Sequence, residues 1–134
     1  MQLNSMRRTS LLFRFSAGFE ILGGIFALVL PVKFCSLLFG YTLVTELVGI
    51  ARLFALAIIA LGWACWEVSS HAPMQNPRRS LCYYNIAVGL LLASIGVSQD
   101  VTGVLLWPGV FIHLAIGILL LPGLRKQRFP RQGN

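Results

Sequence analysis

Charge is what this sequence has least of. Of its 134 residues, 11 are Lys or Arg and four are Asp or Glu, so charged side chains make up 11%, against about 25% in an ordinary soluble domain. Hydrophobic residues fill 57% of the chain, and mean hydropathy is +0.78. A soluble chain this short needs far more polar surface to cover its exterior, so the apolar excess has to face lipid. Other absences exclude chemistry. The two histidines, His71 and His113, form no H-x-x-x-H or H-E-x-x-H spacing, which argues against a metal site. Cys35, Cys65 and Cys82 contain no C-x-x-C pair, so neither a redox motif nor a disulfide framework is expected. No Gly-rich phosphate loop and no nucleophile elbow is present. His113 could be an axial haem ligand, but it is unaccompanied, and no cofactor is expected.

The formal net charge of +7 is spread over three separate clusters: Arg7, Arg8 and Arg14; Arg78 and Arg79; Arg125, Lys126, Arg128 and Arg131. A nucleic-acid binder gathers its basic residues on one continuous face, so nucleic acid is not an expected partner. Attraction to anionic headgroups is the simpler reading, with the lipid bilayer as partner.

Four segments reach the length needed to span a bilayer, about 20 mainly apolar residues: Leu11–Leu30, Leu47–Val68, Leu81–Val97 and Val104–Leu124. In lipid the backbone must satisfy its own hydrogen bonds, so each is expected to be a helix. Glu20 interrupts the first run and no small-x-small cleavage site follows it, so this run reads as a retained helix rather than a signal peptide. The expected fold is an all-α, four-transmembrane-helix up-down bundle in one domain covering residues 1–134. A short helix in the membrane interface is expected after the first span, opening at Pro31 and closing at Gly40. Ser69–Ser80, with Pro73, Asn76 and Pro77, reads as a polar loop. Ser98–Gly103 reads as a tight turn whose Thr102 caps the fourth helix. Arg125–Asn134 reads as a mobile basic tail.

Lys and Arg in the short flanks set orientation. The N-terminus, the Ser69–Ser80 loop and the tail together hold eight basic residues, whereas the other side has Lys33, with Arg52 just inside the second span. Both termini are therefore expected in the cytoplasm. Trp66, Tyr83 and Tyr84 would mark the inner interface, and Tyr41 and Trp107 the outer one.

Ionisable side chains inside a bilayer are expensive, so each needs a partner or a role. Glu20 and His113 each lie about nine residues into their spans from opposite sides, hence at about the same depth. Arg52 sits about one turn in from the outer face and Asn85 about one turn in from the inner face. Glu20 shares its helix side with Ser16, Ala17, Gly23, Gly24 and Ala27, while Phe15, Leu22, Phe26 and Val29 lie opposite. His113 stands between Gly109 and Gly117, and Asn85 shares a stripe with Gly89 and Gly96. Small residues let helix backbones approach, so Gly23, Gly24, Gly89, Gly96, Gly109 and Gly117 are expected at helix contacts. Glu20, Arg52, Asn85 and His113 become candidates for one buried polar cluster. Glu20 and Arg52 differ by roughly 8–9 Å in depth, within reach of the two side chains together.

Several segments have the look of a known group. They are F-E-I-L-G-G at Phe19–Gly24 followed by Pro31, L-F-G at Leu38–Gly40, the run Ala51–Trp66, the Tyr84-Asn85 pair, and G-V-L-L-W-P at Gly103–Pro108 with His113 after it. From Leu12 to Leu121 the chain resembles a set of small bacterial membrane proteins built of four helices. More distantly, through its helix count and the Arg14–Gly18 opening, it resembles the DoxX-like group. The resemblance implies that Glu20, Arg52, Asn85 and His113 belong to a shared pattern; it implies no substrate, cofactor or activity.

The leading expectation is a non-enzymatic inner-membrane protein with a packing, accessory or small-ligand-binding role, pairing with itself or another membrane protein. One alternative is a proton-coupled carrier of a small molecule. Another is a membrane-embedded redox or lipid enzyme using Glu20 and His113 as acid and base. A cluster that only glues the helices together remains open beside all three.

Overall fold

The described residues form five helices: α1 (Gln2–Val29), α2 (Pro31–Phe39), α3 (Thr45–His71), α4 (Gln75–Ser98) and α5 (Leu106–Arg125). The computed structural model describes the backbone of residues 2–71 and 75–125 and the side chains of residues 11–66 and 79–121. The protein is all-α. Three of its helices carry stretches long and apolar enough to cross a membrane, Leu11–Val29, Thr45–Trp66 and Arg79–Ser98, while α5 carries a shorter apolar stretch, Leu106–Leu121. The outer surface is apolar: Leu22 and Leu53 are 70% exposed and Val97 80%. Patches of that kind in a continuous belt are surfaces for lipid or another protein rather than for water.

The break between α1 and α2 follows from Pro31. Proline has no N–H and disfavours helical geometry in the residue before it; Leu30 accordingly sits at φ −127° and ψ 58°. Pro31 then occupies the first turn of α2, where a missing donor does no harm. Gly40 stops the helix in the left-handed region at φ 82°, its N–H donating to Ser36 O at 2.8 Å. The expected opening and closing residues of this short helix are the observed ones.

Two segments differ from the sequence expectation. Helix runs into the Ser69–Ser80 stretch from both sides, as α3 extends to His71 and α4 starts at Gln75. Pro77 is the third residue of α4, a position whose N–H has no intrahelical partner, so the proline is tolerated there. Thr102 does not cap α5. The helix starts at Leu106, and its first bond, Gly109 N–H to Leu105 O at 2.9 Å, makes Leu105 the capping position. The connector is held instead by α2: Leu105 N–H donates to Leu37 O at 2.8 Å, and Gly103 lies so close to the Leu38 carbonyl that a Cβ there would collide with it. Pro73 and the tail from Lys126 to Asn134 lie outside the described residues, as do the side chains of Arg7, Arg8, Arg78 and Arg125.

The helices form two tight pairs. α1 packs along α3, with Gly24 against Ala55 and Ile59 and Gly62 against Ala17 and Ile21. α4 packs along α5, with Gly89 against Leu114, Gly117 against Ile86, and Gly96 against Leu106 and Trp107. Gly109 makes ordinary contacts with Leu92 and Leu38. Gly23 departs from expectation: a Cβ there would meet nothing within 4 Å. One residue along a helix is about 100° of rotation, which carries Gly23 off the line that Gly24 presents to α3. Between the pairs lie two apolar clusters. Phe13, Ala17, Cys65, Leu81, Cys82, Ile116 and Leu120 form one. Leu92, Leu106 and Val110, joined by Leu38 and Phe39 of α2, form the other.

Candidate functional site

Between those two apolar clusters runs a polar layer. Glu20 is three residues beyond Ala17 on α1, Asn85 is three beyond Cys82 on α4, and His113 is three before Ile116 on α5, so all three stand about one turn inward from the first cluster. Ser16, Glu20 and Asn85 are the buried polar side chains among the described residues, Glu20 with 3% of its surface accessible. His113 retains 12%. The layer lies at the seam where the α1–α3 pair meets the α4–α5 pair.

Asn85 organises it. Its Nδ2 donates to Leu81 O at 2.9 Å and reaches the Ser16 hydroxyl oxygen at 3.4 Å, while its Oδ1 lies 2.9 Å from His113 Nδ1. This orientation is chemically forced. Turning the amide over would set its oxygen against the Leu81 carbonyl, two acceptors with no proton between them. With Oδ1 facing the imidazole, His113 Nδ1 has to be the donor, and in the neutral ring Nε2 is left with the lone pair. Phe19 and Tyr84 pack edge-on to the imidazole, at centroid distances of 5.7 and 6.1 Å, and fix the ring plane.

The Glu20 carboxyl faces the same seam. The Tyr84 hydroxyl and the Asn85 amide lie beside it, and His113 Nδ1 is 3.8 Å from Oε1. Oε1 nevertheless has no hydrogen-bond partner, although it is buried. A buried acceptor without a partner costs about 1–3 kcal/mol, so each instance calls for an explanation. The arrangement can pass a proton between carboxyl and imidazole, or accept hydrogen bonds from a small molecule. Among the described residues no group of three His, Cys, Asp or Glu could hold a metal ion.

Arg52 is not part of this layer. It is exposed on α3, and among the described residues no hydrogen bond or ion pair joins it to Glu20. Two geometric facts separate them. The packing of Gly24 on Ala55 and Ile59 and of Gly62 on Ala17 and Ile21 sets Glu20 level with about residue 61 of α3, so Arg52 is offset by about 13 Å along the axis rather than 8–9 Å. Glu20 also lies about 50° round α1 from the Ala17–Gly24 line that meets α3, which turns it toward α4 and α5.

Tyr84 and Ser16 belong to the site without having been expected there. Tyr84 was expected at the interface beside Tyr83, but consecutive helical residues point about 100° apart: Tyr83 is exposed while Tyr84 turns into the seam. Its place directly before Asn85 was the available signal. Ser16, one turn before Glu20 on the same face, carried a similar one. Cys82 hydrogen-bonds the Gly117 carbonyl at 3.3 Å and, like Cys65, behaves as a small buried hydrophobe. In comparisons with known proteins, no family model, no curated protein and no solved structure matches this chain.

Proposed function

We propose that this is a bacterial inner-membrane protein of four spans, non-enzymatic, whose two helix pairs hold a small polar binding site between them near mid-membrane. The observation that carries the reading is the Glu20 oxygen that has no partner although Tyr84, Asn85 and His113 surround the carboxyl. A cluster that served only as glue would have its valences filled. α5, at 20 residues, measures about 30 Å and matches the hydrocarbon thickness, which supports counting it as the fourth span. α2, with its apolar side chains and its position after a proline break, fits the interface. The concentration of Lys and Arg beside the N-terminus, the α3–α4 connection and the C-terminal tail supports cytoplasmic termini.

Native mass spectrometry of the protein extracted in mild detergent tests the reading. A small non-lipid adduct should accompany the wild type and be absent from Glu20→Leu. An adduct-free wild type that also binds no small molecule would reduce the cluster to helix glue. A second reading, proton-coupled transport, is favoured by the 3.8 Å approach of His113 Nδ1 to Glu20 Oε1. It requires Glu20→Gln to abolish proton-linked uptake in vesicles while the helices stay assembled.

A further inference from the structure

The site described above has a hydrogen-bond balance, and the balance restricts what can fill it; the inference therefore rests on the binding-site reading. Donors come first. One N–H of Asn85 goes to Leu81 O, and the same amide nitrogen reaches the Ser16 hydroxyl oxygen at 3.4 Å. The Nδ1–H of His113 goes to Asn85 Oδ1. The Tyr84 hydroxyl lies beside the Glu20 carboxyl. Among the described residues, the N–H donors of the amide and the imidazole are thus engaged. Two acceptors are not: Glu20 Oε1, which is buried and without a partner, and the Nε2 lone pair that the forced orientation of Asn85 leaves on a neutral His113. Among the described residues, Tyr84, Asn85 and His113 lie beside the Glu20 carboxyl, and none of these three carries a fixed positive charge. A carboxylate buried in lipid is stabilised most by a cation that also donates hydrogen bonds.

We propose that the seam between the helix pairs binds a small apolar molecule bearing a primary ammonium group, with an N–H of the ammonium on Glu20 Oε1. An ammonium supplies several donors and the missing countercharge in one group. A quaternary ammonium supplies charge without donors, and an alcohol supplies a donor without charge. An anion would face the Glu20 carboxylate and be repelled. Phe19 and Tyr84 place aromatic surface beside the site, which favours a cation further.

The experiment compares three probes of similar shape on the wild-type protein in detergent micelles by isothermal titration calorimetry: benzylammonium, benzyltrimethylammonium and benzyl alcohol. Benzylammonium should bind about tenfold or more tightly than either of the others, the ratio expected for a charge-assisted hydrogen bond. Glu20→Gln should remove that advantage, with far-UV circular dichroism reporting that the helices remain. Because the probe comparison is made on the wild type, it stands even if the variant fails to fold. Equal binding of all three probes, or unchanged benzylammonium binding by folded Glu20→Gln, overturns the proposal. A neutral or anionic adduct in native mass spectrometry, with benzylammonium not binding, overturns the ammonium class and leaves the binding site standing. Neither an adduct nor any bound probe overturns both.

Discussion

Gly23 and Gly24 are neighbours with the same chemistry, and the packing gives them opposite fates on substitution by alanine. At Gly24 the new methyl would lie 2.7 Å from Ile59 Cγ1, 3.0 Å from the Ala55 carbonyl oxygen and 3.2 Å from Ile59 N. Ile59 Cγ1 can move only by a χ1 change that a β-branched residue in a helix resists, and the two backbone atoms can move only if α3 moves. Forcing a methylene into a packed contact costs about 1–3 kcal/mol, and the unyielding backbone puts Gly24→Ala in the upper half of that range. At Gly23 the methyl meets nothing within 4 Å, and alanine raises helix propensity by up to about 1 kcal/mol in water. In lipid that gain shrinks, because the unfolded reference keeps its helices, so Gly23→Ala should be neutral to slightly stabilising. Gly62→Ala provides the reciprocal check from α3, since its methyl would lie 2.8 Å from the Ala17 carbonyl oxygen. Unfolding by SDS titration in mixed micelles, followed by tryptophan fluorescence, measures all three. If Gly23→Ala lost as much stability as Gly24→Ala, or Gly62→Ala lost none, the assigned α1–α3 register would be wrong.

The polar layer makes its own prediction: a double-mutant cycle of Asn85→Ala and His113→Ala should give a coupling energy of about 0.6–2 kcal/mol, and a value indistinguishable from zero would contradict the 2.9 Å contact between them. Arg52→Leu should leave that coupling and probe binding unchanged and shift stability by no more than about 0.5 kcal/mol, whereas a large loss of binding would return Arg52 to the site. Cys35 is half-buried on α2 and burial raises its thiol above the usual range, so its thiolate is scarce at neutral pH and maleimide labelling there should accelerate as pH rises above that range. Cys65 and Cys82, fully buried, should stay unlabelled in the folded protein at every pH tested, as followed by intact mass.

The helices were legible because their signals are local. Apolar length, Pro31 and Gly40 are read residue by residue, and a proline break or a left-handed glycine needs no tertiary information. The Ser69–Ser80 stretch misleads by the same logic. Its polar composition resembles a loop, yet first-turn positions tolerate proline and polar side chains, and the helices run on into it. Gly23 shows the resolution limit of periodicity. A 100° step separates it from Gly24, and a sequence-drawn face that is wide enough to include both cannot tell which one touches α3. Thr102 was unreadable as a non-cap, because what fixes its connector is α2, distant in sequence.

The site was legible to the depth of each residue and no further. Glu20, Asn85 and His113 could be placed at comparable levels by counting, but their meeting depends on rotation about each helix axis and on the register between helices, which the tight glycine contacts set. Those same contacts carried Arg52 away. That outcome bears on what the layer is for. With Arg52 at a distance, no fixed positive charge is shown meeting the carboxyl of Glu20 among the described residues. Glutamine at position 20 would still accept a hydrogen bond at Oε1, and would avoid burying an ionisable group in lipid at a cost of a few kcal/mol. Helix glue alone would thus be better served by the amide. A carboxyl held where an amide would pack as well is informative about use: the site needs either the charge or the proton, and both the cation reading and the proton reading begin from that need.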